Sequence, residues 1–503
     1  MNIVSLVDQH ARNAPGAPAV VGGESPMTYG ELADATSQFA SLLANEYNVV
    51  PGDRIGIVLQ NTPEFVVGFL GAMRMGAVAV PLNTRLRDQD LGPLLEQVRA
   101  RVVLVGRDRA PALSSFEVID ADSLFDTISQ RSDGARIPCA PLQWSDVCNI
   151  VFTSGSTSRP KAVLQTHGMH MSTGAALADF LQLSNSDVTS LISPMFHVAG
   201  ITMLATALTL GCPFVLHAGW QRDKALAEME EHGVSFVHLV GTVFLDILSG
   251  ERDEPSALQL SRLRYVLAGG AVIDSEKLRW FEDRFDCRIS GAYGRTEGGK
   301  TWCTPTSPTR WSAHGSVNRN VCEIRIVGNT DDAELGVGQT GEIRVRGDGV
   351  SLGYDTPELN SAAFDSQGWM RTGDQGFIDA DNVLHFAGRA DGIIKSAGEN
   401  VSPQEVERAL VRIRGVSEAI VTGIPHERLG QTVGALIVGD ASLTAERVQA
   451  SARELLAGFK IPRTIAFADQ LPRLGSQKVD VRAVKELIIS TSSDRRATVG
   501  DEQ

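Results

Sequence analysis

TYGELADATSQFASLLANEY, Thr28 to Tyr47, sets apolar residues at helical spacing behind a threonine able to cap the first turn, and DRIGIVLQ, Asp53 to Gln60, follows as a short apolar run that reads as a buried strand. ARVVLVG, Ala100 to Gly106, reads as another buried strand, and further units follow at SFVHLV, Ser235 to Val240, and LRYVLAGGAV, Leu263 to Val272. Strands alternating with helical patterns predict an α/β fold with mostly parallel sheets. From about Gly336 the texture changes to short strands and turns, TGEIRVRGDGVSLGY and then GFIDADNVLHFAGR, so this stretch is read as β-rich. After Gly388 compact α/β patterning returns. SPQEVERALVRI offers Ser402 as a cap, Pro403 at the first helical position and Glu405 at the third. Strands are expected at EAIVTGI and GALIVG and a helix at TAERVQASARELLAGF, while TSSDRRATVGDEQ lacks apolar periodicity and reads as a disordered tail. The predicted division is 1–390, 391–490 and a tail 491–503.

The 503-residue chain exceeds one simple core, and its 43% hydrophobic and 21% charged residues are ordinary for a globular protein. Net charge is −14, and no Lys/Arg run makes a local basic stripe, so nucleic acid is not an expected partner. The six cysteines show no metal spacing and are too sparse for a disulfide framework, which fits a reducing cytoplasm. The N-terminus has no basic region followed by an apolar stretch, and the apolar segment around FVVGFLGAMRMGAVAVPL is broken by Arg74 and glycines. No export signal and no membrane span are expected.

FTSGSTSRPKAVLQTH, Phe152 to His167, gathers hydroxyls, a glycine and a lysine between apolar runs. Hydroxyls and backbone amides in such a turn can wrap phosphate oxygens, and Lys161 adds a compact positive charge for the same group. The same residues serve equally as a solvated loop before a helix. No Walker pattern occurs in the chain. GVGQTG, Gly336 to Gly341, matches a dinucleotide fingerprint letter for letter, yet acidic residues precede it and a strand follows, so it reads as a β turn. In GAYGRTEGG, Gly291 to Gly299, the Thr296 hydroxyl could touch phosphate and the Glu297 carboxylate could hold Mg²⁺; an exposed turn is the plainer reading. Asp374 in RTGDQG suits the vicinal hydroxyls of a ribose, Arg389 follows before the proposed boundary, and Lys478 stands between a turn and a helix. Each also reads as an ordinary turn or surface residue.

In order, these stretches resemble the adenylate-forming superfamily of acyl-CoA synthetases, luciferases and adenylation domains, from MTYGEL through GDRIGIVLQNTPEFVVGFLGAMRMGAVAVPLN to Lys478. The resemblance implies an α/β fold: a large N-terminal domain of two sheet-helix subdomains plus a β-barrel, and a small mobile α+β C-terminal domain. It implies that Thr153, Ser154, Gly155, Ser156, Thr157 and Lys161 cover the ATP phosphates, and that Gly270, Ala271, Ala292 and Tyr293 border the adenine. Thr296 would meet phosphate, Glu297 would bind Mg²⁺, and Asp374 and Arg389 would hold the ribose. His197 in SPMFHVAG falls at the entrance of an acyl pocket lined by Thr242, Phe244, Ala268, Gly269, Gly270, Arg295 and the run GGKTWC. Asp391 matches the hinge, Lys395 a residue near the AMP phosphate, Lys478 the catalytic lysine, and Ala397 and Gly398 the coenzyme A face.

The implied activity is activation of a carboxylic acid by ATP and Mg²⁺, followed by thioester formation with coenzyme A. Some positions depart from the pattern. Ser158 and Ala162 stand where glycine is usual, Ala397 replaces a common glycine or lysine, and Gln477 replaces the glycine before the catalytic lysine. These departures keep open an adenylate-only enzyme that hands its product to a partner ligase or carrier protein, or a downstream acyltransferase. A noncatalytic nucleotide-binding protein is the further alternative. Arg295 is unusual too, and an internal salt bridge or a surface arginine competes with a contact to the acid.

Overall fold

The computed structural model describes residues 2–23, 25–130, 137, 139–153, 160–253, 259–269, 275–303, 321–328, 332–389, 392, 394–396, 399–426, 430–474 and 479–499. Four sheets organise them. The first runs Glu117–Asp120, Ala100–Val105, Arg54–Val58, Val78–Pro81, Val147–Thr153 and Lys161–Thr166, parallel except for the final pair. The second has eight strands, from Gly298–Cys303 through Arg288–Arg295, Tyr265–Gly269, Phe236–Val240, Thr189–Leu191, Phe214–Leu216 and Pro18–Val21 to Met27–Thr28, with only its two outermost pairs antiparallel. The expected barrel corresponds to an antiparallel meander of Glu323–Val327, Gly341–Arg346, Met370–Ile378 and Leu384–Arg389. The fourth sheet joins Glu399–Val401, Ile394–Ser396, Gly430–Gly439 and Val416–His426, with Thr464–Phe467 parallel to Gly430–Gly439. Among the described residues no helix is long and apolar enough to cross a membrane.

The two large sheets share one core. Phe39, Phe65, Phe69, Leu177 and Leu204 on helices join Ile55, Val102 and Leu104 of the first sheet to Phe214, Phe236 and Leu267 of the second. The helix Tyr29–Glu46 is capped as its sequence suggests: Thr28 accepts from Glu31 N, and the Glu31 carboxylate returns to Thr28 N at 2.7 Å. It packs on the helix Pro63–Arg74 so closely that a Cβ on Gly71 would lie 2.8 Å from Phe39 Cδ1. Arg74, which interrupts the apolar run in sequence, is fully buried there and is gripped at both terminal guanidinium nitrogens by Asp8. Asp8→Ala would strand that charge in the core, so we expect a loss of about 3 kcal/mol in chemical denaturation, part of it restored by adding Arg74→Met.

In the fourth unit Ser402 caps the helix Pro403–Leu410 by accepting from Glu405 N, whereas the Glu405 carboxylate pairs with Lys460 at 2.6 Å rather than completing a capping box. Glu407 on that helix accepts from Val421 N at 2.9 Å, and burial pushes its carboxyl up from 4.5 to about 7. The raised folded-state value means that the folded form holds a proton the unfolded form has released between these limits. Stability should therefore fall as pH rises through that window, on the order of 3 kcal/mol in all. Glu407→Gln should flatten the decline in urea titrations run across it.

The helix Val481–Val499 extends through the first part of the segment read as a tail. Val484 and Ile488 anchor it on the fourth sheet, and once a nucleus is fixed each further turn is cheap to add. GVGQTG is a turn entering a strand, as its context suggests: Gly338 has φ +76° and Gly341 opens Gly341–Arg346.

Candidate active site

The strands Arg288–Arg295 and Gly298–Cys303 form a hairpin whose tip carries Thr296 and Glu297. Gly298 sits at φ +118°, and a Cβ there would stand 2.3 Å from Gly349 O. Only glycine allows the hairpin to dock this tightly beside Val350, with which Gly298 forms an isolated bridge. Ser351 N then donates to Glu297 O at 2.8 Å, and Leu164 N to Gly353 O at 2.8 Å. The edge strand Lys161–Thr166, the hairpin and the segment leading into the meander therefore meet at one locus.

Tyr354, on that segment, donates its hydroxyl to Glu297 Oε1 at 2.8 Å, and Lys161 Nζ lies 5.3 Å from the centre of its ring. Gln165 Nε2 holds Thr296 O at 2.7 Å and is itself held by Asn149. Glu297 is 5% exposed. Burial pushes its carboxyl up, but Arg295, 3.3 Å away, and the Tyr354 hydroxyl outweigh that and keep it below the ordinary range. It is thus an anion at neutral pH. The described contacts fall on Oε1, which leaves the other oxygen as the candidate ligand for a hard cation. Among the described residues no group of three His, Cys, Asp or Glu side chains could hold a metal by itself. A single carboxylate fits Mg²⁺, which is commonly completed by substrate phosphates and water.

Asp374 lies on the neighbouring strand, in register with Arg389, and is 4% exposed. Tyr293 Oη donates to its Oδ2 at 2.8 Å, Arg295 Nη1 approaches that oxygen at 3.8 Å, and Arg389 Nε stands 3.9 Å from Oδ1. Burial raises the Asp374 carboxyl against the pull of Arg295 and the Tyr293 hydrogen bond. Tyr293, Glu297, Asp374 and Arg389 are thus brought together, with Lys161 and Thr296 at the same edge. Thr153 pairs in register with Lys161.

Arg295 links Glu297 to Asp374 and donates to Thr372 O, so its described partners are the internal ones. Phe244 also departs from the acyl-pocket expectation. It is fully buried and stacks on Phe281 with ring centres 4.7 Å apart, in a separate core formed with Ile247 and Leu278. Gly269 does face Ala292 and His238: a Cβ on it would lie 3.6 Å from Ala292 O and from His238 Nε2. His197 precedes the first turn of the helix Val198–Leu210, with its ring 4.7 Å from Phe196. Ala162, where glycine was the expected residue, is a strand residue whose methyl packs beside Val58 and Ile150.

Ser154, Gly155, Ser156, Thr157, Ser158, Gly270, Ala271, Asp391, Ala397, Gly398, Gln477 and Lys478 lie outside the described residues, as do the side chains of Thr242 and Lys395. Sequence reasoning did not single out Tyr354, Gln165, Asn149 or His238. Gln165 lies within the stretch Phe152 to His167 but carries none of the hydroxyl or charge chemistry read there, the others lie in no dense motif, and each matters through a partner distant in the chain.

The chain matches the AMP-binding enzyme family over residues 7–355 and the AMP-binding enzyme C-terminal domain over residues 405–478. It is 32% identical over 490 residues to the 2-succinylbenzoate–CoA ligase of Bacillus velezensis, covering 95% of this chain and 97% of that protein. The long-chain-fatty-acid–CoA ligase of Mycobacterium tuberculosis is 29% identical over 509 residues, covering 97% and 99%. The o-succinylbenzoate coenzyme A synthetase of Bacillus subtilis superposes with a TM-score of 0.83 in its complex with ATP and magnesium ion, at 27% identity over 96% of this chain and 99% of that one. Its complex with the acyl-adenylate intermediate gives 0.82, covering 94% and 96%. The chain belongs to the AMP-binding enzyme family, the adenylate-forming superfamily of acyl-CoA synthetases.

Proposed function

We propose that this protein joins a small carboxylic acid to coenzyme A through an acyl-adenylate, with the site around Glu297 and Asp374 as the nucleotide site. The observation that carries this reading is the meeting, at one locus, of a depressed carboxylate at a hairpin tip, a buried aspartate facing an arginine, and a lysine on the adjoining sheet edge. Asp374 and Arg389 hold the ribose, Tyr293 orients Asp374 through its hydroxyl, and Ala292 with Gly270 and Ala271 borders the base. Thr153 to Thr157 and Lys161 draw in the phosphate oxygens, and Thr296 adds a hydroxyl. Mg²⁺, held by Glu297, supplies positive charge against the developing phosphoryl oxyanions.

The acid enters beside His197 and attacks the α-phosphorus, pyrophosphate leaves, and Lys478 neutralises charge that grows on the transferring group. Lys395 lies near the AMP phosphate. In this reading Asp391 is the hinge between the two units, and rotation there exchanges the face carrying Lys478 for the one carrying Ala397 and Gly398, where the coenzyme A thiol attacks. A cytoplasmic location is consistent with five described cysteines that remain free thiols.

The test is to incubate the protein with ATP, Mg²⁺, coenzyme A and aliphatic, aryl and fused-ring acids and to identify products by mass spectrometry. Acyl-CoA with stoichiometric AMP is the expected result. Acyl-AMP that accumulates in the presence of coenzyme A would contradict the second half-reaction.

A further inference from the structure

Lys300 follows Glu297 on the strand Gly298–Cys303 and is 6% exposed, with its Nζ donating to Thr202 Oγ1 at 2.6 Å. Thr202 passes its own proton to Val198 O at 2.7 Å, within the helix that His197 precedes. Among the described residues no carboxylate pairs with this ammonium group. A buried lysine with one neutral partner is an uncompensated charge, and burial pulls it down to about 7.

Two buried imidazoles feel its charge. His238 shares a proton with Ser193 Oγ through Nδ1 at 2.8 Å and turns Nε2 toward Gly269 and Ala292. His170, from the helix His167–Phe180, meets Asn149 Oδ1 through Nε2 at 2.5 Å, while its Nδ1 is buried without a hydrogen-bond partner among the described residues. Burial, and then the Lys300 charge, disfavours protonation of both. Asn149 is held by Gln165, which also holds Thr296 O, so a short hydrogen-bonded chain joins this cluster to the hairpin tip.

We propose that Lys300, buried and held by Thr202, binds a second carboxylate at the far end of the acid, and that the substrate is therefore a dicarboxylic acid. This deepens the ligase reading and rests on it. Lys300 stands three residues of strand from Glu297, at most about 10 Å, so a carboxylate on it is within the reach of a short dicarboxylic acid whose other end reacts at the proposed nucleotide site. A neutral ketone or hydroxyl would satisfy the donors but leave the charge; a carboxylate supplies both acceptors and counter-charge. Glu297 and Asp374 do not serve as that counter-charge, being engaged by Arg295, Tyr354 and Tyr293.

Pyrophosphate release would be measured with adipate and carboxyphenylpropanoate, with their monoacid counterparts hexanoate and phenylpropanoate, and with levulinate as a neutral keto acid. The expected preference in kcat/KM for the dicarboxylic member of each pair is roughly 30-fold or more, the scale of removing one partner of a buried charge pair. Lys300→Met should abolish the preference through KM for the acid, with KM for ATP unchanged. Thr202→Val, which removes the hydroxyl that holds the ammonium, should weaken the preference in the same direction and serves if Lys300→Met does not fold. Equal use of hexanoate and adipate, levulinate matching adipate, or an unchanged acid KM in Lys300→Met would overturn the proposal. Release with monoacids alone overturns it and leaves the ligase reading standing; release with no acid overturns both.

Discussion

Lys478→Ala is expected to slow acid-dependent pyrophosphate release by about 10²-fold or more, the scale for losing one preorganised group that stabilises transition-state charge. Two anions must meet for a carboxylate to attack the α-phosphorus, and the negative charge passing to the bridging oxygen needs a cation close by. The proposed lysine does this without reorganisation of solvent. The same substitution should leave thioester formation from a synthetic acyl-adenylate within a few-fold of the parent enzyme, because in the proposed cycle the coenzyme A step uses the other face of the C-terminal unit. Loss of both half-reactions together would point to misfolding, and near-normal pyrophosphate release would remove Lys478 from the chemistry.

Glu297→Gln should have an effect of similar size. The substitution preserves shape, and an amide oxygen can still accept from Tyr354, so the hairpin tip should hold. The missing element is the anion that Arg295 and Tyr354 keep ionised. We expect kcat to fall about 10²-fold with the Mg²⁺ requirement moved to higher concentration, since a hard divalent ion loses its proposed protein carboxylate. Glu297→Asp should recover part of the rate. A rate lost with no change in the Mg²⁺ titration would assign Glu297 a purely electrostatic role.

Local rules made much of the architecture readable before the structure. The caps at Thr28 and Ser402, the apolar strands near Ile55 and Val103, and the turn at Gly338 are encoded within a few residues each. Thr296 and Glu297 stood out for the same reason, in a glycine-framed stretch that the structure folds into a hairpin tip. Phe244 misled because an apolar residue after a strand gives no sign of which side of the helix Gly241–Asp253 it occupies; packing with Phe281 settles that. Arg74 looked like an interruption because its counter-ion, Asp8, lies 66 positions away. Tyr354, and the partners of Lys300 within the run GGKTWC, were hidden by the same separation, since Tyr354 and Thr202 reach Glu297 and Lys300 only through the tertiary fold.

The central claim is that the acid itself attacks the α-phosphorus of ATP. Heavy-oxygen label in the carboxylate of a turned-over acid follows that bond directly. The account predicts one labelled oxygen in the phosphate of the AMP formed and none in pyrophosphate; label appearing instead in inorganic phosphate, with ADP as the nucleotide product, would contradict it.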